Sequence, residues 1–195
     1  MKAYKDFIIS PIGERYNNSK KIGDKELVLN TEVYNHQFVN RLAKVIATPL
    51  LFSSPIKVGD EVIVHHNIFR RWHDVKGREK NSRSYWKDDK YIVSKDQIYL
   101  YKRKKWIAMP NYSFIKPIKQ DNEFNFENEK SLVGIVKYSD GAFNSGELVG
   151  FRPRMNCEDF INGERLYRVL NKFITIKYEY QGNEEEYNPS WTQSG

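Results

Sequence analysis

The chain has 195 residues, a formal net charge of +7 and a single cysteine. That length accommodates one large domain or two small ones, and the lone Cys157 excludes an intrachain disulfide and any cysteine-based metal cluster. No apolar run approaches the length of a membrane span, and Met1-Lys2-Ala3-Tyr4-Lys5-Asp6 lacks the long apolar stretch of a signal peptide, so a cytoplasmic protein with no membrane contact is expected. The positive charge permits binding to nucleic acid or an acidic surface without demanding it. With 13 Tyr and 11 Phe, the composition favours strands.

In chain order, Phe7-Ile8-Ile9-Ser10-Pro11-Ile12 predicts a first strand, stopped by Pro11 and Gly13. Residues 13 to about 24 are polar and carry Asn17, Asn18 and Gly23, a loop by composition. An apolar island follows, Leu27-Val28-Leu29, between Glu26 and Asn30. Two readings fit it: a short edge strand, or a hydrophobic hook on a mobile arm over about residues 13–35. Leu42-Ala43-Lys44-Val45-Ile46-Ala47 predicts a second strand, ended by Thr48-Pro49. Then comes the stretch that organises the chain, Ile56-Lys57-Val58-Gly59-Asp60-Glu61-Val62-Ile63-Val64. Gly59-Asp60 supplies a turn, and the β-branched run after it predicts a core strand to about Ile68. Residues 70–90 form a basic, aromatic-punctuated insertion in which eight Lys/Arg face four Asp/Glu. Lys90-Tyr91-Ile92-Val93 and Ile98-Tyr99-Leu100-Tyr101 then predict two strands around a polar turn.

After Lys102-Arg103-Lys104-Lys105 the same signals recur. Phe114-Ile115-Lys116-Pro117-Ile118 repeats the opening pattern, and an acidic, Asn-rich loop over residues 120–130 takes the place of the first loop. Leu132 to Tyr138 matches the second strand, Gly146-Glu147-Leu148-Val149 echoes the organising stretch, and residues 166–178 echo the closing pair. Asn162-Gly163 is a hairpin signal. The repeated order predicts a duplicated all-β chain. Its parts would be residues 1–105 with an insertion at about 70–90, a diverged second copy over residues 106–180, and a flexible tail over 181–195.

The ordered set resembles the GroES-type co-chaperonins. Phe7 to Ile12, Leu27-Val28-Leu29, Ala43-Lys44-Val45-Ile46, Val58-Gly59-Asp60-Glu61-Val62 and Lys90 to Ile98 stand where that family has its first strand, mobile-loop tripeptide, second strand, V-G-D-x-V element and closing hairpin. The resemblance covers residues 7–101, and a diverged version covers 114–178. It implies two tandem GroES-like β-barrels, as in double-domain plastid co-chaperonins, with drift that resembles phage-encoded members. It also implies a GroEL-type chaperonin ring in its ATP-bound state as partner, a homo-oligomeric ring of copies, and Leu27, Val28 and Leu29 as the chaperonin-binding hook. The insertion at 70–90 has no counterpart in the family pattern. The second copy has no clear tripeptide; Phe124 and Phe126 are its only candidates.

No phosphate-binding loop, H-E-x-x-H pair or G-x-S-x-G elbow is present. His65-His66 with His73 could bind a metal, but adjacent histidines on a strand would point to opposite faces. Asp88-Asp89 and Glu184-Glu185-Glu186 are expected to be solvated runs. No catalytic residue, cofactor or metal is therefore expected, and the chain is not expected to be an enzyme. A rival is a nucleic-acid-binding barrel in which Arg70, Arg71, Trp72, Arg78, Arg83 and Trp86 stack bases and contact phosphates. A solvated basic hairpin is the plainer account of the same residues. A structural viral assembly protein is a third reading.

Overall fold

In the computed structural model, which describes residues 2–16, 19–22, 25–28, 38–120, 129–161, 163–179 and 184–187, the regular structure is antiparallel β-sheet. The chain divides into two compact units, Met1–Lys105 and Trp106–Gly195. Among the described residues no helix is long and apolar enough to cross a membrane.

The first unit contains β1 (Phe7–Pro11), β2 (Ser19–Ile22), β3 (Lys25–Val28), β4 (Leu42–Ala47), β5 (Glu61–Val64), β6 (Arg71–His73), β7 (Glu79–Asn81), β8 (Tyr85–Lys87), β9 (Lys90–Val93) and β10 (Ile98–Lys102). Its main sheet runs in the order β10-β5-β4-β1-β9-β8. Two small hairpins, β2–β3 and β6–β7, are separate two-stranded sheets. The second unit contains β11 (Trp106–Ala108), β12 (Tyr112–Lys119), β13 (Glu129–Ser139), β14 (Leu148–Phe151), β15 (Asn156–Ile161), β16 (Glu164–Leu170) and β17 (Ile174–Tyr178). Its sheet, read from the same end, runs β17-β14-β13-β12-β16-β15. Strand for strand, the two orders are the same.

The likeness extends to single hydrogen bonds. Gly59 has φ +92° and Gly146 φ +93°, a region that glycine enters without a Cβ penalty. The Gly59 N–H donates to the Val45 carbonyl (2.9 Å), and the Val45 N–H to that of Asp60 (2.9 Å). In the second unit the Gly146 N–H donates to Val136 (2.8 Å), and the Val136 N–H to Glu147 (2.9 Å). A 3₁₀ turn joins the closing strands of each unit, Lys95–Gln97 in one and Asn171–Phe173 in the other. Its last carbonyl accepts from the residue after the organising strand: Gln97 from His65 N–H (2.9 Å), Phe173 from Arg152 N–H (3.0 Å).

Alternation places the cores. In the first unit Phe7, Ile9, Val62, Val64, Tyr91, Val93, Ile98 and Leu100 are fully buried. In the second, Ile115, Val136, Val149, Phe151 and Val169 form one cluster, and Ile118, Val133 and Leu148 another. The predicted run to Ile68 ends earlier. The β5 strand stops at Val64, the chain turns with Ile68 N–H on the His65 carbonyl (3.0 Å), and Ile68 and Phe69 fold back into the core. The apolar pair was read as strand continuation because periodicity alone does not distinguish the two fates.

Gly134 marks a point where β12 and β13 approach too closely for a side chain. A Cβ there would lie 2.4 Å from the Lys116 carbonyl oxygen and 2.6 Å from Ile115 Cγ2. The first obstacle is backbone, so the strands themselves must move. Gly134→Ala should cost about 1–3 kcal/mol as an overpacking change, read as a lower urea midpoint. A loss below about 0.5 kcal/mol, the ordinary range for surface changes, would mean that the strands separate freely.

Within the expected tail, the four described residues Glu184 to Tyr187 lie along β12. Lys119 N–H donates to the Glu185 carbonyl (2.7 Å), and Tyr187 N–H to the Pro117 carbonyl (2.9 Å). Glu185 pairs with Lys119 (2.6 Å), and Glu186 with Lys116. An acidic run that looks solvated in isolation finds the lysines of β12 and its unpaired ladder edge.

Candidate functional site

The segment expected to carry the hook begins and ends at a narrow neck. The Ile12 N–H donates to the Leu42 carbonyl (3.0 Å), and the Asn40 N–H to the Arg15 carbonyl (2.9 Å). Tyr16 and Val39, both buried, form an antiparallel bridge. Asn40, 7% exposed, is the centre of this neck. Its Nδ2 donates to the carbonyls of Ile12 and Glu14 (2.8 Å each), and its Oδ1 accepts from the Leu42 N–H (2.9 Å). One side-chain amide therefore satisfies three backbone groups where no ladder reaches them.

Beyond the neck, β2 and β3 pair with Ser19 opposite Val28, Lys20 opposite Leu27 and Ile22 opposite Lys25. Leu27 and Val28 thus lie in a strand, whereas Leu29 falls outside the described residues. The hairpin pairs with no other strand among the described residues. An isolated two-stranded hairpin is marginally stable at best in water. Phe124 and Phe126 of the second loop also fall outside the described residues.

The insertion at 70–90 is not one loop. Residues 71–81 form the β6–β7 hairpin, and β8 returns to the main sheet beside β9. Asp88 and Asp89 make the two-residue turn from Lys87 to Lys90, both with positive φ (49° and 53°). Consecutive positive φ values are the mark of a type I′ hairpin, which Asp tolerates better than most residues. The β6–β7 ladder sets Arg71 opposite Asn81, Trp72 opposite Lys80 and His73 opposite Glu79.

The base of this hairpin is bolted to the neck. The Arg15 Nε and Nη2 donate to the Phe69 carbonyl (3.2 and 2.9 Å), and its Nη1 to Asn81 Oδ1 (2.8 Å). The Arg71 N–H donates to the Tyr16 hydroxyl (2.7 Å), and the Arg71 guanidinium lies 4.7 Å above the Tyr16 ring. At the tip, Asp74 Oδ1 accepts from the N–H groups of Lys76 and Arg78 (2.9 Å each). The Arg78 N–H holds the Asp74 carboxyl below its ordinary range; burial opposes this, and the Lys76 N–H and Lys80 ammonium reinforce it.

Of the six residues expected to contact nucleic acid, the structure separates two from four. Arg70 is half-buried, and Arg71 is engaged by Tyr16 and by Glu79 (3.2 Å). Trp72, Arg78, Arg83 and Trp86 are exposed. The histidines also differ from expectation. His65 and His66 lie beyond the end of β5, and their rings approach to 4.2 Å instead of facing apart. Among the described residues no group of three or more His, Cys, Asp or Glu could hold a metal ion.

The second unit carries polar clusters that sequence reasoning missed. Arg165 bridges Glu129 and Glu158 (3.1 Å to the latter), and Tyr167 donates its hydroxyl proton to Glu129 Oε1 (2.6 Å). Burial, the hydrogen bond to Glu129 and that carboxylate's charge push the Tyr167 phenol upward. Ser113, fully buried, donates to Asn171 Oδ1 (2.7 Å), and Asn171 Nδ2 donates to Asp140 Oδ1 (3.0 Å). Asp140 also accepts from the N–H groups of Asn111 (2.7 Å) and Ala142 (3.1 Å). These are braces between β13, β15 and β16 or between turns. Their partners lie up to 58 residues apart, so no local motif announces them.

Burial pushes the Asp140 carboxyl up, but the donors from Asn111, Ala142, Asn171 and Ser139 outweigh it and leave it below its ordinary range. A folded value below the unfolded one means that Asp140 stabilises the fold above about pH 4, the ordinary Asp value, and that this contribution is lost as pH falls through the folded value. Asp140→Ala should cost about 1–3 kcal/mol at pH 7, with a smaller difference from the unsubstituted protein in acid. A difference that stays constant from pH 7 to pH 3 would show that the charge contributes nothing.

Compared with known protein families and with curated proteins, the chain matches none.

Proposed function

We propose that this protein is a co-chaperonin: a ring of copies that caps a GroEL-type chaperonin in its ATP-bound state through the apolar residues of the β2–β3 arm. In this reading each unit is a GroES-like barrel, and the protein performs no chemistry of its own. The observation that carries the reading is the pairing of a repeated strand order with a hairpin that forms its own sheet on a tied neck. A short apolar segment on a hairpin that belongs to neither main sheet is suited to reversible docking in an apolar groove. Each arm loses conformational freedom on docking, so one contact is weak. Several arms on one ring make the later contacts intramolecular and raise avidity.

The test is direct. The protein is mixed with a GroEL-type ring with and without ATP, and complexes are separated by sedimentation and viewed by electron microscopy. Caps that form only with ATP are expected. Absence of any complex, under conditions in which an authentic co-chaperonin caps the same ring, would refute the proposal.

A further inference from the structure

We propose that the outward side of the β6–β7 hairpin, together with Trp86 of β8, binds single-stranded nucleic acid, with Trp72 and Trp86 stacking on bases and Lys76, Arg78 and Arg83 meeting phosphates. Arg71 and Asn81 are opposite one another in the ladder, and both turn toward the unit, onto Tyr16 and Arg15. The next pair, Trp72 and Lys80, therefore lies on the other side, because successive strand residues alternate faces. The same alternation acts in β8. Tyr85 packs edge-on against buried Tyr91 (5.4 Å between ring centres), and its neighbour Trp86 faces out. The two indoles are 47% and 42% exposed.

Trp72 is oriented by its own hairpin. Trp72 Nε1 donates to the Asn81 carbonyl (3.1 Å), which fixes its plane relative to the hairpin. Lys87 Nζ lies 4.7 Å from the Trp86 ring centre, so an ammonium already accompanies that face. The hairpin beneath is fixed by Arg15, Tyr16 and the Asp74 clamp.

The charge around them is unbalanced. Three of the four acidic residues of the segment are paired with cations, Asp74 with Lys80 (3.8 Å), Glu79 with Arg71 (3.2 Å) and Asp88 with Lys90 (3.6 Å), while Asp89 accepts from the Tyr91 hydroxyl (3.3 Å) and keeps its charge, one carboxylate against the four cations that remain. Lys76, Arg78, Arg83 and Lys87 make no ion pair among the described residues. Exposed indoles among cations in excess of carboxylates match a strand whose bases are unstacked and whose phosphates are spaced along it. A duplex keeps its base faces covered, and an acidic peptide offers the cations a partner but leaves the indoles without one.

The experiment uses the full chain and a fluorescent oligo(dT) of about 20 nucleotides, longer than one binding site of this kind. Anisotropy is followed from about 50 to about 200 mM salt, a range over which phosphate contacts weaken steeply. Binding that falls with salt is expected. Trp72→Ala and Trp86→Ala should each weaken it by about fivefold to about a hundredfold, the loss of one stacked base. Trp72→Phe should keep much of the affinity, and Arg78→Glu with Arg83→Glu should lower both the affinity and the salt slope. Circular dichroism of each variant should match the unsubstituted protein, and capping of a chaperonin ring should be unchanged. No binding at about 50 mM salt, binding that both Trp→Ala variants retain in full, or equal competition by polyglutamate would each overturn the proposal.

Discussion

Asn40→Ala should destabilise the first unit by about 2–5 kcal/mol, because it removes three hydrogen bonds at once and leaves buried partners without replacements. Those partners are the carbonyls of Ile12 and Glu14 and the N–H of Leu42. Asn40 itself is almost wholly excluded from solvent, so water cannot fill the gap at no cost. Asn40→Asp tests the same point with the shape kept. The carboxylate can still accept from Leu42, but it has no protons for the two carbonyls and sets a negative charge against them. At neutral pH this variant should be at least as damaging as Asn40→Ala. It should recover as pH falls through the carboxyl's raised value, since the protonated form can donate once. Urea denaturation across pH measures both. If Asn40→Ala costs less than about 0.5 kcal/mol, no more than a typical surface change, the neck is held without the amide, by its backbone bonds and the contacts of Arg15 and Tyr16.

The neck also shows where sequence reading stops. The strands β1, β4 and β5 were legible because each is a short β-branched or aromatic run bounded by Pro or Gly, and the turn at Gly59-Asp60 carries its own signature. The repeated strand order was legible because the same signals recur in the same sequence along the chain. The small hairpin of β15 and β16, around Gly163 with φ +79°, was announced by a dipeptide. By contrast, Arg15, Tyr16 and Asn40 are single residues without periodic context. Their partners Phe69, Arg71 and Asn81 lie 54 to 66 positions away from Arg15 and Tyr16. Nothing local distinguishes such an arginine from one that is solvated. Asp88-Asp89 was read as a charged run, yet its decisive property is backbone tolerance for positive φ. The Glu185–Glu186 pair was likewise read by charge alone, while the lysines of β12 that engage it stand nearly seventy residues earlier.

Replacing Leu27 and Leu29 with Ser should abolish capping of a chaperonin ring while leaving both units folded. Full burial of one such side chain contributes roughly 1.5–3 kcal/mol, and ordering each residue costs roughly 1–2 kcal/mol of backbone entropy. A single arm with two leucines removed therefore has no surplus with which to dock, and multiplying arms on a ring multiplies nothing. Stability should hardly change, because β3 pairs only with β2 among the described residues and lies outside both main sheets. Thermal melting and ATP-dependent co-sedimentation with the ring separate the outcomes. If Leu27 and Leu29 instead support the unit, the melting temperature falls and amide exchange at Leu27 and Val28 is already slow in the unbound protein. Slow exchange together with undiminished capping by the double variant would overturn the docking role of the arm. The paired variant Val28→Ser sharpens the result: a docked extended segment presents alternate side chains to a groove. Loss on Val28→Ser with retention on the double leucine variant would therefore place the opposite side of the strand against the partner.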